Sequence, residues 1–219
     1  MNKFTLFFTF LTLYTLWILF QTEGVTDYAL IWLLLNFLLF TVAYALNTPN
    51  LILAKNHTGK INYLLLILNA PWLLFTWIIF QIQMLLSREN SVDKIEGSGI
   101  FIASRPLRGF DFSPYDVVVD LTAEFLKDTV KNEKYLSYPN LDGMPLSCGY
   151  DDVEIFKNKK VLVHCANGHG RSALFVAKLL VELKFVENFE KGLEVIKKHR
   201  PLAIPNDGQL KANKFKNFE

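Results

Sequence analysis

"VLVHCANGHGRSALFVAKLL", Val161–Leu180, decides how the second half of this chain folds. It opens as a short apolar run closing on His164, the pattern of a strand buried on both faces. From Ser172 to Phe185 apolar residues recur at helical spacing, at Leu174, Phe175, Ala177, Leu179, Leu180 and Leu183, so a helix follows. The turn between them carries Gly168 and Gly170, which let the backbone curl tightly and take positive φ where needed. In α/β sheets ligands sit at the carboxyl ends of strands, and Cys165 lies at such an end. Amide N–H groups of a loop of this kind, together with the following helix N-terminus, form an anion site. Arg171 adds a planar fork suited to two phosphate oxygens at once. The same positive field favours Cys165 as a thiolate. A phosphate would then be held over a nucleophile, with His164 hydrogen-bonding nearby. Cys165, His164 and Arg171 are the candidate catalytic residues. Ala166, Asn167, Gly168, His169 and Gly170 form the candidate substrate-binding loop.

Upstream, "GIFIAS" and "DVVVDL" read as strands, β-branched and bounded by turn residues, and "KYLSYP" as a third. A last helix is expected from about Glu187 to His199, stopped by Pro201. Strands alternating with helices predict an α/β fold with a central, mostly parallel sheet. The domain is placed at residues 100–219, after a connector at 87–99 in which "EGSG" is the nearest thing to a hinge.

The first 86 residues are different in kind. Their only charged side chains are Lys3, Glu23, Asp27, Lys55 and Lys60. Three uncharged apolar stretches, near 4–20, 29–46 and 63–86, each approach the ~20 residues that a transmembrane helix needs. The first lacks a small-residue cleavage site and is read as a retained anchor. Thr5, Thr9, Thr12 and Thr15 line one face of it; Asn36 and Asn69 lie inside the other two, and Pro71 predicts a kink in the third. These polar groups are read as contacts between helices in preference to a headgroup pocket. No Asp, Glu, Lys, Arg or His lies inside any span, which argues against a transporter.

Charge excludes another class. The formal net charge is +2 over 219 residues, with no basic field of the kind that binds nucleic acid. Two cysteines, Cys148 and Cys165, are too few for a disulfide framework. Cys148 reads as a buried structural thiol, with a protective disulfide to Cys165 as the alternative. No ligand spacing suggests a metal, and no cofactor is expected.

"HCANGHGRS" matches the H-C-x-x-G-x-x-R-S/T signature and resembles the cysteine-dependent protein tyrosine phosphatases, most closely the dual-specificity branch. "VVVDLTAEF", "YLSYPNLDGMPLS" and "HRPLAIPN" resemble flanking segments of that family in the right order, over Ile100–Pro201. The whole chain is similar to small bacterial membrane-anchored members. The resemblance implies hydrolysis of phosphate monoesters through a phosphocysteine on Cys165, with Arg171 stabilising the transition state and Ser172 assisting thiolate departure. It also implies a general acid on a loop before the signature. Asp142 in "PNLDGMP" is the choice; Asp151 and Asp152 are runners-up, better suited to capping the next helix. Asp120 and Glu124 are expected to have structural roles at a strand end. His169 is read as facing solvent, with a second substrate anion as its alternative partner. The expected substrate is a phosphoprotein (Tyr, Ser or Thr) or a small ester. A phospholipid headgroup is the alternative, and a non-catalytic phosphate-binding membrane scaffold the rival. Lys3, Lys55 and Lys60 balance Arg88, Lys94 and Arg105, so charge leaves the orientation open. A thiolate nucleophile suits the reducing cytosol, which places the α/β domain on the cytoplasmic side of a bacterial inner membrane.

Overall fold

The computed structural model describes residues 2–128, 130 and 135–214. It divides the chain into two compact units: Met1–Lys55, Ile61–Ser87 and Ala123–Phe125 in the first, and Asn56–Lys60, Arg88–Thr122 and Leu126–Glu219 in the second.

The first unit is built from α1 (Lys3–Leu19), α2 (Thr26–Leu46) and α3 (Tyr63–Leu86). Asparagine starts two of them. Asn2 accepts from the Thr5 amide, and Asn62 accepts from the amides of Leu64 and Leu65, satisfying donors that a helix start leaves over. Among the described residues two helices, not three, are long and apolar enough to cross a membrane: α2 with 21 residues and α3 with 24. The 17 residues of α1 rise only about 26 Å, short of the ~30 Å hydrocarbon core.

Polar groups inside these apolar helices are consumed by neighbours. Asn36 on α2 donates from Nδ2 to Asn69 Oδ1 on α3 at 2.9 Å, and Asn69 Nδ2 donates in turn to the carbonyls of Leu51 and Ile52. Thr12 and Thr41 approach to 3.3 Å between hydroxyl oxygens. The reading of these side chains as contacts between helices therefore holds for Asn36, Asn69 and Thr12, whereas the Thr15 hydroxyl donates within its own helix, to the Leu11 carbonyl. Pro71 cannot donate to the carbonyl of Ile67, four residues back. The indole N–H of Trp32 donates to that carbonyl instead, at 3.0 Å, as an apolar surrounding demands.

The second unit is a five-stranded sheet in the order β1-β2-β5-β3-β4, comprising β1 (Val92–Ile95), β2 (Ile100–Ala103), β3 (Val117–Thr122), β4 (Tyr135–Asn140) and β5 (Val161–His164). Every pairing is parallel except that of β1 with β2. The four expected strands are all present, although Lys134, at the head of "KYLSYP", lies outside the described residues, as do 215–219 of the expected domain. The antiparallel β1 falls inside the stretch read as a connector. Its charged sequence, VDKI, suits an edge position where one side faces water. Every residue of β3 and β5 is buried, which explains why they read as unbroken apolar runs.

Three helices complete the unit: α4 (Arg171–Glu182), α5 (Phe189–His199) and α6 (Asp207–Lys214). One core packs Val161, Val163, Phe175, Val176, Leu179 and Ile196 together, and a second gathers Phe112, Val118, Tyr135 and Leu162. Ala103, Asp120 and His164 are partners in register. The loops that follow β2, β3 and β5 therefore leave the sheet at one edge.

Candidate active site

The loop from Cys165 to Gly170 is held from outside by its carbonyls. The Ala166 carbonyl accepts the Arg105 amide at 2.7 Å, and the Asn167 carbonyl accepts from Arg200 at 3.0 Å. His164 Nδ1 lies 3.4 Å from the Cys165 carbonyl. Carbonyls drawn outward turn the amides inward, and the Gly168 amide donates to Cys165 Sγ at 3.3 Å. Cys165 itself is 3% exposed.

Gly168 makes this turn possible. Its φ is +73°, and a Cβ there would sit 2.5 Å from the Ala103 carbonyl oxygen and 2.9 Å from the Ser104 nitrogen. The left-handed conformation alone costs an alanine about 1–2 kcal/mol, and the contact with backbone adds to it. Gly168→Ala is expected to lower the melting temperature by about 5 °C or more. Because the loop must shift, it should also lower turnover about tenfold or more. Differential scanning calorimetry with steady-state kinetics checks this; a variant that melts and turns over like the wild type contradicts the role given to Gly168.

Arg171 opens α4 and is fully buried. Its Nη1 donates to the Asn140 carbonyl at 2.8 Å, and its Nη2 lies 3.2 Å from Asp142 Oδ1. The Asp142 side chain is 66% exposed, so the arginine is braced from the protein side while the carboxylate stands at the solvent side. Ser172 is buried, and its hydroxyl has no hydrogen-bond partner among the described residues. Asp142 thus meets Arg171, at the end of the loop whose Gly168 amide donates to Cys165. Asp152 instead caps a short 3₁₀ turn, Val153–Phe156, by accepting the Glu154 amide at 2.8 Å.

His169 has a carboxylate partner rather than open solvent. Its Nε2 lies 2.6 Å from Glu89 Oε2. Glu89 also approaches Arg200, which pairs with Asp93 at 2.7 Å and donates to the Asn90 carbonyl. His164 faces Asp128 at 3.8 Å, and Asp128 is paired with Arg105. Asp120 is buried at the end of β3, where it accepts from the amide and hydroxyl of Thr122 and from the Tyr135 hydroxyl, the structural role expected of it. Burial, then the charge of Asp120, push the Tyr135 phenol far up, so it remains a donor. Glu124 accepts the Ala123 amide at 3.0 Å. The Cys148 thiol is half-buried and pushed up, first by burial and then by Asp151, which keeps it protonated and unreactive.

Arg200 and Asn140 stand in segments that the sequence marks, but nothing in it shows what they or Arg105 hold, because Asn167, Arg171 and Ala166 lie far along the chain from them. Among the described residues no cluster of His, Cys, Asp and Glu has the composition of a metal site.

No family model matches the chain, and no curated protein matches it. Solved structures similar to it include dual-specificity and protein tyrosine phosphatases and a human tyrosine phosphatase-like serine/threonine/tyrosine-interacting protein. Tk-PTP in its active form is 22% identical, covering 57% of this chain and 94% of its own, with a TM-score of 0.43. Human DUSP28 is 17% identical over 57% of this chain and 92% of its own, with a TM-score of 0.47. PTPMT1 in complex with PI(5)P is 20% identical over 57% and 93%, with a TM-score of 0.43.

Proposed function

We propose that this chain is a membrane-anchored, cysteine-dependent phosphatase that hydrolyses phosphate monoesters of a phosphoprotein or a small ester. The observation that carries the reading is one arrangement: Cys165 Sγ accepts from the Gly168 amide, on a loop that ends at a buried Arg171 whose guanidinium meets Asp142.

In the first step the Cys165 thiolate attacks phosphorus and the ester P–O bond breaks. The leaving oxygen takes the proton of the Asp142 carboxyl. Loop amides and Arg171 hold the three equatorial oxygens as their charge spreads. In the second step water attacks the phosphocysteine, Asp142 takes its proton, and the S–P bond breaks to return the thiolate and release inorganic phosphate. The Ser172 hydroxyl donates to the departing sulfur. His164, beside the Cys165 carbonyl, holds the start of the loop.

Membrane anchoring is supported by exposure as well as composition. Only 22% and 17% of the apolar windows of α2 and α3 are buried, whereas a core helix of a soluble protein would be largely covered. Leu35, Leu38, Leu64, Leu74, Trp77 and Ile82 are among the large apolar side chains left open. We place the α/β unit on the cytoplasmic side of a bacterial inner membrane, where a thiolate stays reduced. Ala166 and Asn167 put no cation on the loop, and the His169 imidazole is engaged by Glu89. This favours a singly phosphorylated ester over a polyanionic headgroup.

The test is rapid acid quench of the full-length protein, in membranes, with an aryl phosphate. We expect a burst of aryl alcohol and a phosphoryl adduct on the peptide that carries Cys165, with the protein still sedimenting with the bilayer after an alkaline carbonate wash. No turnover would leave a phosphate-binding scaffold as the better reading, and turnover without the adduct would overturn the phosphocysteine mechanism. Release by carbonate would overturn the anchoring.

A further inference from the structure

We infer that Asn206 and Gln209 are positioning residues for the Asp142 carboxyl, latching the loop that carries it; this rests on the phosphatase reading above. The two form a reciprocal cap on α6. Asn206 Oδ1 accepts the Gln209 amide, and Gln209 Oε1 accepts the Asn206 amide, both at 3.0 Å. Each side chain thereby uses its oxygen on the helix and has its amide nitrogen left to reach elsewhere. Both nitrogens reach the same place. Asn206 Nδ2 donates to the Gly143 carbonyl at 2.9 Å, and Gln209 Nε2 donates to the Met144 carbonyl at 3.1 Å. Those are the two residues directly after Asp142.

The Gln209 carboxamide also packs on the phosphate loop. A Cβ added at Gly170 would sit 3.0 Å from its Oε1 and 3.2 Å from its Nε2, and Gln209 is 2% exposed. One capped helix start is thus fitted to the residue before Arg171 and bonded to the residues after Asp142. At the neck of the same loop, Asn140 Oδ1 accepts the amides of Ser147 and Cys148, and its Nδ2 donates to the Cys148 carbonyl. The neck is closed by Asn140 and the acid-bearing tip by Asn206 and Gln209. Asp142 is itself largely exposed and its carboxyl meets Arg171 Nη2 at 3.2 Å, so its place over the phosphate depends on that one contact and on the loop that carries it.

Asn206→Ser separates the latch from the cap. Serine caps a helix about as well as asparagine but has no amide to reach Gly143; Asn206→Asp, which also caps, serves if the serine variant does not fold. The measurement is kcat/KM of the full-length protein in detergent over a series of aryl phosphates that differ in leaving-group pKa, with Asp142→Asn as reference. Esters with good leaving groups need no proton and should turn over within about twofold of the wild type. Esters with poor leaving groups should fall about tenfold or more, steepening the leaving-group dependence in the direction of Asp142→Asn. An equal loss across the series, or no loss on any ester, overturns the latch and leaves the phosphatase reading standing. A wild type without turnover sinks both.

Discussion

Cys165→Ser is expected to lower turnover of any phosphate ester by about 10⁴-fold or more, the scale on which removing a nucleophile acts. The exchange is nearly isosteric at a site only 3% exposed, and the carbonyls that hold the loop, those of Ala166 and Asn167, do not involve the side chain. The fold should therefore persist, with a melting temperature within a few degrees of wild type. What changes is charge. In the proposed mechanism the sulfur attacks as a thiolate, with the Gly168 amide donating to it at 3.3 Å. A serine hydroxyl in the same place stays neutral at pH 7 and is a poor nucleophile without a base to activate it. Phosphate binding should survive, because Arg171 and the loop amides remain and a negative sulfur no longer opposes the anion. Calorimetric titration with inorganic phosphate, run beside the kinetics, checks both halves. A serine variant that turns over would remove the phosphocysteine from the mechanism.

The strand, loop and helix around Cys165 were legible because the sequence changes period there, from a continuous apolar run to helical spacing across a pair of glycines. The same contrast exposed β2, β3 and β4. It could not expose β1, whose VDKI sequence pairs antiparallel at an edge and carries charges that resemble a connector. The apolar stretches gave the helices, yet only their lengths in space separate α1 from the two that can cross a bilayer. Cys165, Arg171 and Asp142 could be named as candidates from the signature and its flanking segment. The groups that aim them could not. Arg200 reaches the Asn167 carbonyl from 33 residues away, and Gln209 reaches the Met144 carbonyl from 65; such pairings are set by packing, which leaves no local pattern. Asn206 and Gln209 show the boundary well. "NDGQ" has the spacing of a helix cap and could be read as one, but the carbonyls that receive their amide nitrogens become visible only once the sheet is assembled.

Arg171→Lys should be nearly as damaging, with kcat/KM falling about 10³-fold, since an arginine on a transferring phosphoryl group is worth 10³–10⁵. Charge is preserved, so a loss of this size reports geometry. The guanidinium uses Nη1 on the Asn140 carbonyl at 2.8 Å and turns Nη2 toward Asp142 at 3.2 Å. Lysine offers one compact ammonium in place of a fork. If it turns to the phosphate, the Asn140 carbonyl loses its buried donor, at a cost of about 1–3 kcal/mol; if it stays with Asn140, it leaves the phosphate. Both outcomes lower stability or activity, and the balance can be measured. We expect the inhibition constant of inorganic phosphate to weaken less than kcat/KM falls, because a point charge attracts a ground-state anion but does not follow its charge into the transition state. Arg171→Ala, with no charge at all, should weaken both. If lysine instead restores wild-type kcat/KM, Arg171 contributes only its charge, and the two-oxygen grip on the phosphoryl group is wrong.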